Sequence, residues 1–207
     1  MANLHATIRA RAPLRLGLAG GKQDQYAAAF GGTNFIEFLA RDRVIVNPLR
    51  VSDSARNEFE SSLVICFSGR SRDATVIIER QTAGILDHSP HAIAAMDRLK
   101  ADAIEMKNAL LAGDIPAMAQ ILDDSWKAKK MTAPGISTDR IDRLYEVAVA
   151  NGALAGKVSG AGGGGFVVFL VNPEDRLGLL NALNANGGIA EPVKFAERGC
   201  ETWQVRR

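Results

Sequence analysis

A run of six small residues at positions 160–165 is the feature that most constrains this 207-residue chain. It lies in the sequence KVSGAGGGGF, between two strand-like segments, the second of which is a hydrophobic strand predicted at 166–171. Glycine lets the backbone approach a ligand closely and point successive N–H groups inward, as an anion cradle requires. No Gly-Lys-Ser/Thr follows the run, so the Walker A mechanism does not apply. The alternative is a turn that needs glycine only for tight packing.

A second stretch, residues 20–25, places a carboxylate behind a pair of glycines. Its sequence is GGKQDQ, so Asp24 is flanked by two amides and follows Lys22 closely. Such neighbours hold a carboxylate in place and keep it ionised, as a base that accepts a hydroxyl proton must be. The alternative is that Asp24 is an acidic residue at the start of a helix, where the helix dipole favours negative charge.

A third stretch, residues 9–15, alternates arginine with small or apolar residues. Its sequence RARAPLR sets Arg9, Arg11 and Arg15 at alternate positions, which places arginines on one side of a strand. Arginine forks suit phosphate or carboxylate oxygens. The alternative is a solvated strand edge guarded by charge.

Composition excludes several classes of function. The formal charge is only +2, so no global field recruits nucleic acid or an acidic membrane surface. Cys66 and Cys200 lie far apart without a nearby Cys or His cluster, which argues against a zinc site or a disulfide framework. The longest apolar run is too short to span a bilayer. We therefore expect a cytoplasmic protein without nucleic acid, membrane or chain-held metal.

Hydrophobic periodicity predicts an α+β fold, with an antiparallel sheet and helices packed on one face of it. The longest helix is expected at 90–111, where apolar residues recur at helical spacing and Gly113 ends the pattern. The other helices are predicted at 24–30, 54–60, 74–81, 115–129, 138–150 and 173–185. The strands are predicted at 6–18, 33–39, 43–51, 63–67, 166–171, 190–195 and 201–205.

Taken together, the three stretches resemble motifs of the GHMP kinase superfamily. Within it, the chain is similar to the bacterial heptose kinases that phosphorylate D-glycero-D-manno-heptose 7-phosphate at the anomeric hydroxyl. Residues 11–21 resemble the N-terminal motif of the family, residues 21–32 its catalytic-aspartate motif, and residues 157–166 its C-terminal glycine motif. The similarity continues through NFIEF, VIVNPL and FSGRSR, and so covers nearly the whole chain.

The resemblance implies a transferase that uses ATP and Mg²⁺ to phosphorylate a sugar phosphate. Asp24 would be the catalytic base, and Arg15 would neutralise charge that develops on the transferred phosphoryl group. The residues expected to bind the sugar are Lys22, Gln23 and Gln25. Those expected to bind phosphate or ATP are Lys157, Ser159, Gly160, Ala161, Gly162, Gly163, Gly164 and Gly165.

The sequence also departs from the family pattern. The family separates its N-terminal and aspartate motifs by well over half a domain, including a Pro-x-x-x-Gly-Leu-Gly-Ser-Ser loop that grips the ATP phosphates. Here the two motifs meet at residues 17–21, GLAGG, and no such loop occurs in the sequence. We infer an internal deletion, with residues 1–32 a remnant of the N-terminal kinase domain and residues 33–207 a C-terminal-like domain. Affinity for ATP is expected to be weak or absent, because exposed ion pairs contribute little each.

Two alternatives to a heptose 7-phosphate kinase remain open. The missing phosphate loop favours a non-catalytic remnant that binds a sugar phosphate or a protein partner. A GHMP kinase for another sugar, such as fucose or galactose, is also compatible with the motifs, although Lys22 and the arginines favour a phosphorylated substrate.

Overall fold

The computed structural model of the protein describes residues 22–69 and 74–201. The described residues form two compact units: one combines residues 22–50 with residues 194–201, and the other lies within the stretch Val51–Val193. The strand expected at 6–18 and most of the strand expected at 201–205 lie outside the described residues. The expectation that residues 1–32 are a remnant of an N-terminal kinase domain, and residues 33–207 a C-terminal-like domain, stays a prediction.

The first unit holds a helix and a β-hairpin. Helix α1 spans Gln23–Phe30, and strands β1 (Asn34–Phe38) and β2 (Val44–Pro48) pair antiparallel with Ile36 opposite Val46. Arg41 and Asp42 adopt φ values of 60° and 54°, which gives the chain the twist that tight hairpin turns favour. The predicted hairpin around these two residues is confirmed.

The C-terminal segment of the first unit packs closely on the end of α1. The Cys200 N–H donates to the Ala28 carbonyl at 3.0 Å, and the Gly32 N–H donates to the Ala196 carbonyl at 2.9 Å. A Cβ on Gly31 would lie 2.1 Å from the Gly199 nitrogen, a distance that no side chain tolerates. Glycine at position 31 therefore lets the two ends of this unit meet.

The second unit combines six helices with a four-stranded sheet among its described residues. The helices are α2 (Asp53–Ser61), α3 (Ala74–Leu86), α4 (Pro90–Ala112), α5 (Ile115–Thr132), α6 (Asp139–Ala150) and α7 (Arg176–Ala185). The strands are β3 (Leu63–Phe67), β4 (Ala153–Val158), β5 (Phe166–Val171) and β6 (Ile189–Pro192). The sheet order is β4-β5-β3-β6, and every neighbouring pair is antiparallel.

The core of the second unit lies between the sheet and its helices. Val64 on β3 and Phe169 on β5 are fully buried, together with Leu144 on α6 and Leu179 on α7. Removing these side chains from water is the main force that holds the helices on the sheet. The predicted α+β class with an antiparallel sheet is confirmed. Among the described residues, no helix is both long and apolar enough to cross a bilayer.

Some boundaries differ from the sequence-based prediction. Helix α3 runs five residues past the predicted end at 81, because the pattern there passes through Gly84 without a stop. Helix α7 begins at Arg176, since Pro173–Asp175 form a turn before it. The segment before the glycine run was expected to be strand-like, but the bounds of strand β4 were not predicted, because its sequence ALAGKV is rich in small residues and lacks the β-branched pattern typical of strands.

Helix α5 begins at a side-chain cap whose removal gives a measurable loss. The Asp114 carboxylate accepts the Ala117 N–H at 2.9 Å, which satisfies one of the free N–H groups of the first turn. Asp114→Ala is expected to lower the free energy of unfolding by about 1 kcal/mol in urea denaturation. Asp114→Asn keeps a capping oxygen and is the control. Equal losses in both variants would contradict the role of the cap.

Candidate functional site

The glycine loop, residues 159–165, connects β4 to β5 as a hairpin. Its first N–H, that of Ser159, donates to the Phe166 carbonyl at 2.8 Å and closes the loop. The φ angles of Gly160, Gly162, Gly163 and Gly165 are all positive, between 76° and 108°. Residues with a Cβ rarely adopt this conformation, so the loop path itself requires glycine. The polyglycine run predicted from the sequence is therefore more than a spacer between strands.

Most N–H groups of the glycine loop are free to bind a ligand. Within residues 22–69 and 74–201, no acceptor is found for the N–H groups of Gly160, Ala161, Gly162, Gly164 and Gly165. Unpaired donors in a glycine-rich loop create a concave site with positive potential, and oxyanions bind to such sites. This arrangement favours the anion cradle over the alternative of a turn that serves packing alone.

The segment before α6 anchors the middle of the glycine loop. The Gly163 N–H donates to the Ile136 carbonyl at 2.8 Å. A Cβ on Gly162 would lie 2.8 Å from the same carbonyl oxygen, so a larger residue does not fit there. Ile136 is itself 1% exposed and belongs to the core. The loop is thus held in place by the core of the unit, which reduces the entropy lost when it binds a ligand.

A polar cleft of about 610 Å³ opens beside the glycine loop. Its walls come from the loop, the end of β3, the start of α6 and the turn after α7. The residues that line it are Ser68, Gly69, Thr138, Asp139, Arg140, Arg143, Gly163, Gly164 and Gly187. Two arginines and one carboxylate give the cleft a net positive charge, and its volume is in the range of small-molecule sites.

The two arginines of the cleft have different surroundings. Arg140 is fixed, because its Nε donates to the Ser68 carbonyl at 3.2 Å and its guanidinium donates to the Asn186 carbonyl at 2.9 Å. Arg143 lies one helical turn further along α6 and makes no ion pair or hydrogen bond within the described part of the chain. Arg143 is therefore the cation of this cleft that is available to bind an anion.

Two half-buried lysines lie next to the start of the glycine loop. The Lys157 amine donates to the Ser125 hydroxyl on α5, and the expected role of Lys157 in binding phosphate stays a prediction. Burial lowers the pKa of Lys157. Lys129, also on α5, donates to the carbonyls of Val158 and Gly160. Burial, and next the charge of Lys157, lower the pKa of Lys129 to about 8.

The predicted acid and its neighbours belong to the first unit. Asp24 is exposed in the first turn of α1, the position that the helix-dipole alternative describes. The Lys22 amine lies 2.8 Å from the Asp42 carboxylate, and this contact raises the pKa of Lys22 and lowers that of Asp42. Lys22 and Gln23 line a hollow of about 300 Å³, while Gln25 is half-buried on α1.

The predicted site is thus distributed over two units. Asp24, Lys22, Gln23 and Gln25 lie in the first unit and residues 157–165 in the second. That Asp24 and the glycine loop share one cavity stays a prediction, and Arg15 lies outside the described residues. Across residues 22–69 and 74–201, no three His, Cys, Asp or Glu side chains form a metal-binding group.

The sequence-based reasoning missed several residues of the cleft. Ser68 and Gly69 belong to FSGRSR, which was recognised only as part of the resemblance. Arg140 and Arg143 are three residues apart on a predicted helix, and that spacing was the signal that would have placed them on one face. Their proximity to the glycine loop depends on the tertiary contact at Ile136, which periodicity does not encode.

Comparison with known proteins identifies the class of this domain. The family GHMP kinases C terminal matches residues 106–189, which include α5, α6, the glycine loop and α7. The second unit therefore contains a C-terminal domain of the GHMP kinases, and the predicted resemblance to that superfamily is confirmed.

Individual relatives are more specific. The chain is 42% identical over 190 residues to D-glycero-alpha-D-manno-heptose 7-phosphate kinase of Campylobacter jejuni, which covers 92% of this chain and 56% of that protein. A crystal structure of a D-glycero-D-manno-heptose 1-phosphate kinase from Bacteroides thetaiotaomicron shares 39% identity with a TM-score of 0.70, covering 100% of this chain and 55% of that one. A bifunctional fucokinase/GDP-fucose pyrophosphorylase of Arabidopsis thaliana is 26% identical over 78% of this chain and 15% of its own length. The chain thus spans little more than half the length of its heptose kinase relatives.

Proposed function

We propose that the chain binds a phosphorylated heptose and acts in its phosphorylation by ATP, as its similarity to the heptose phosphate kinases implies. The observation that carries this proposal is the cleft in which Arg143 lies together with Gly163 and Gly164 of the glycine loop, where the Gly164 N–H has no acceptor among the described residues. The hydroxyl groups of a neutral sugar would accept hydrogen bonds here but leave the charge of the guanidinium unbalanced, whereas phosphate oxygens accept hydrogen bonds and also balance that charge.

In the proposed reaction the anomeric hydroxyl oxygen of the heptose attacks the γ-phosphorus of ATP. The new O–P bond forms as the bond between the γ-phosphorus and the bridging oxygen breaks, and ADP departs with that electron pair. Asp24 accepts the hydroxyl proton, while Arg15 and the loop N–H groups balance the charge of the transferred group. Bound with the nucleotide, Mg²⁺ supplies further neutralisation of phosphate charge. A 7-phosphate substrate gives the 1,7-bisphosphate.

The proposed substrate class is the heptose phosphates, because the names of two relatives differ in the position of the phosphate. One relative is named for the heptose 7-phosphate and the other for the heptose 1-phosphate. Within this class we propose the 7-phosphate, because its anomeric hydroxyl is free to accept a phosphoryl group. The titration described below compares both heptose phosphates. The proposal places the reaction in the cytoplasm, where ATP is available.

A second candidate function is favoured by the absence of the Pro-x-x-x-Gly-Leu-Gly-Ser-Ser loop from the sequence. In this alternative the chain binds a sugar phosphate without transferring phosphate to it. Calorimetric titration with Mg-ATP and with each heptose phosphate, followed by measurement of ADP formation, separates the two functions. Micromolar binding of nucleotide together with release of ADP would exclude the non-catalytic alternative. Binding of sugar phosphate without nucleotide binding or ADP release would exclude the kinase function. A kinase for fucose or galactose would release ADP with the unphosphorylated sugar.

Arg143 is expected to contribute directly to binding of the phosphorylated sugar. Arg143→Gln removes the available cation of the cleft and is expected to weaken heptose 7-phosphate binding by roughly 10- to 100-fold, since hydrogen bonds to charged groups contribute about 1.5–3 kcal/mol each. Calorimetric titration measures the loss. Arg176→Gln, on α7 and outside the lining of the cleft, is the matched control. If Arg143→Gln binds heptose 7-phosphate with unchanged affinity, the cleft is not the binding site of the phosphorylated sugar.

A further inference from the structure

Lys129 joins helix α5 to the start of the glycine loop. Its amine donates to the Val158 carbonyl at 3.3 Å and also to the Gly160 carbonyl. These two carbonyls lie on either side of Ser159, where β4 ends and the loop begins. One half-buried ammonium group therefore binds the backbone at the point where the chain leaves the sheet.

Backbone geometry links this contact to the anion cradle. The described chain contains no cis peptide bond, so the C=O and N–H of one peptide unit point in opposite directions. Holding the Gly160 carbonyl on Lys129 therefore turns the Ala161 N–H away from α5. That N–H is one of the donors without an acceptor among the described residues.

Packing does not hold Gly160 in this orientation. Its φ is +76°, and no atom lies within 4 Å of the place where its Cβ would be. Gly162, by contrast, is enclosed by Ile136. A glycine in open space can rotate its peptide unit at little cost, so the contact with Lys129 is the restraint on this part of the loop.

We propose that Lys129 is a positioning residue, whose amine fixes the Gly160 carbonyl so that the Ala161 N–H stays turned away from α5 and available to an anion that the glycine loop binds. The inference rests on the anion-binding role proposed for the loop, and it does not require phosphoryl transfer. A charged amine holds a carbonyl more strongly than a neutral one does, so the protonation of Lys129 sets how firmly the loop is held.

The surroundings of Lys129 define the pH at which this restraint weakens. On β4, the charged amine of Lys157, which donates to Ser125, faces Lys129. On α4, the charge of the buried Asp102 favours the protonated form of Lys157, and Asp102 also forms an ion pair with Arg98 at 2.6 Å. With a pKa of about 8 in the folded chain, Lys129 is charged below pH 8 and neutral above it. Anion affinity should therefore fall as the pH rises through 8.

The free energy of unfolding should increase as the pH rises, whereas anion affinity falls. This difference distinguishes a positioning role of Lys129 from a purely structural one. The pKa of Lys129 is lower in the folded chain than its ordinary value of 10.5, so the unfolded chain binds more protons between these two values. The contribution of Lys129 to the free energy of unfolding therefore rises with pH from about 8 to 10.5. A loss of anion binding in the same interval cannot come from unfolding driven by this residue.

Calorimetric titration of the full chain with inorganic sulfate, whose charge stays constant from pH 7 to pH 9.5, tests the proposal over that range. Wild-type affinity is expected to fall roughly tenfold across this range, because a charge-assisted hydrogen bond is about twice as strong as a neutral one. Lys129→Met should bind weakly at every pH, and Lys129→Arg should bind without the pH dependence. Lys130→Met, a change at the next residue, which stacks over Trp126, is the control and should match the wild type.

NMR of the wild-type protein gives a second readout that needs neither a stable variant nor turnover. The amide resonances of Gly160 and Ala161 are expected to titrate with a midpoint near pH 8, as the positive charge on Lys129 is lost. Lys129→Met with wild-type affinity and the wild-type pH profile would overturn the proposal. Amide resonances that do not move between pH 7 and pH 9.5 would overturn it as well, whether or not heptose phosphate is a substrate.

Discussion

Gly162→Ala is expected to lower the free energy of unfolding by about 2–6 kcal/mol. Two costs combine at this position. The φ of +108° is a backbone conformation that residues with a Cβ rarely adopt, and holding alanine in it costs about 1–3 kcal/mol. The new methyl group would also meet the Ile136 carbonyl oxygen at 2.8 Å and the Ile136 side chain at 2.9 Å, and overpacking costs about 1–3 kcal/mol. Urea denaturation measures the loss.

The same change is expected to weaken anion binding. To make room for the methyl group the loop must move away from Ile136, which breaks the hydrogen bond from the Gly163 N–H and displaces the free donors. Pyrophosphate titration should show at least a tenfold loss, equivalent to about 1.4 kcal/mol or the net contribution of one hydrogen bond.

Gly160→Ala is the matched control for Gly162→Ala. Its φ is also positive, at +76°, but the added methyl group meets nothing within 4 Å. It should therefore show only the left-handed penalty of about 1–2 kcal/mol. Equal destabilisation by the two substitutions would mean that the contact with Ile136 does not constrain the loop.

Asp24→Asn is expected to lower the rate of ADP formation by about 10²- to 10⁴-fold, the usual contribution of a general base. The amide keeps the size of the side chain but cannot accept the hydroxyl proton. Affinity for the heptose phosphate should change little, because Asp24 is not among the groups proposed to bind the phosphate. A coupled assay of ADP with heptose 7-phosphate and Mg-ATP measures the rate.

Asp87→Asn, the same chemical change in an exposed turn after α3, is the control for Asp24→Asn. Wild-type turnover that persists in Asp24→Asn would show that the role given to Asp24 is wrong. A wild-type chain without turnover, but with affinity for heptose phosphate, would instead support the non-catalytic alternative and leave the cleft as its binding site.

The sequence was sufficient to predict most helices and the sheet class, because their signals are local. Helix α4 is an example: its apolar spacing and Gly113 predicted 90–111, and the helix spans Pro90–Ala112. The hairpin at Arg41 and Asp42 was likewise predictable from its flanking strands. The bounds of strand β4 were not, since its small residues form a strand only because β5 lies beside them.

The candidate site was only partly predictable for a similar reason. The glycine loop is visible in the sequence because consecutive glycines have few other uses. Arg143, Ser68 and Lys129 reach it through contacts between distant elements, and no local pattern marks them. The direction of the Lys157 amine was also not encoded locally, because it depends on Ser125 across the interface between α5 and β4.

The pairing of the C-terminal segment with α1 has a consequence for biosynthesis. The stretch Val51–Val193 is continuous, so a ribosome delivers all of its strands and helices before the last part of the chain emerges. Helix α1 precedes this stretch, yet Cys200, whose N–H donates to the Ala28 carbonyl of the helix, is translated after it. The first unit can therefore complete its own hydrogen bonds only after the second unit has been synthesised, so helix α1 remains without this partner while the second unit is being made.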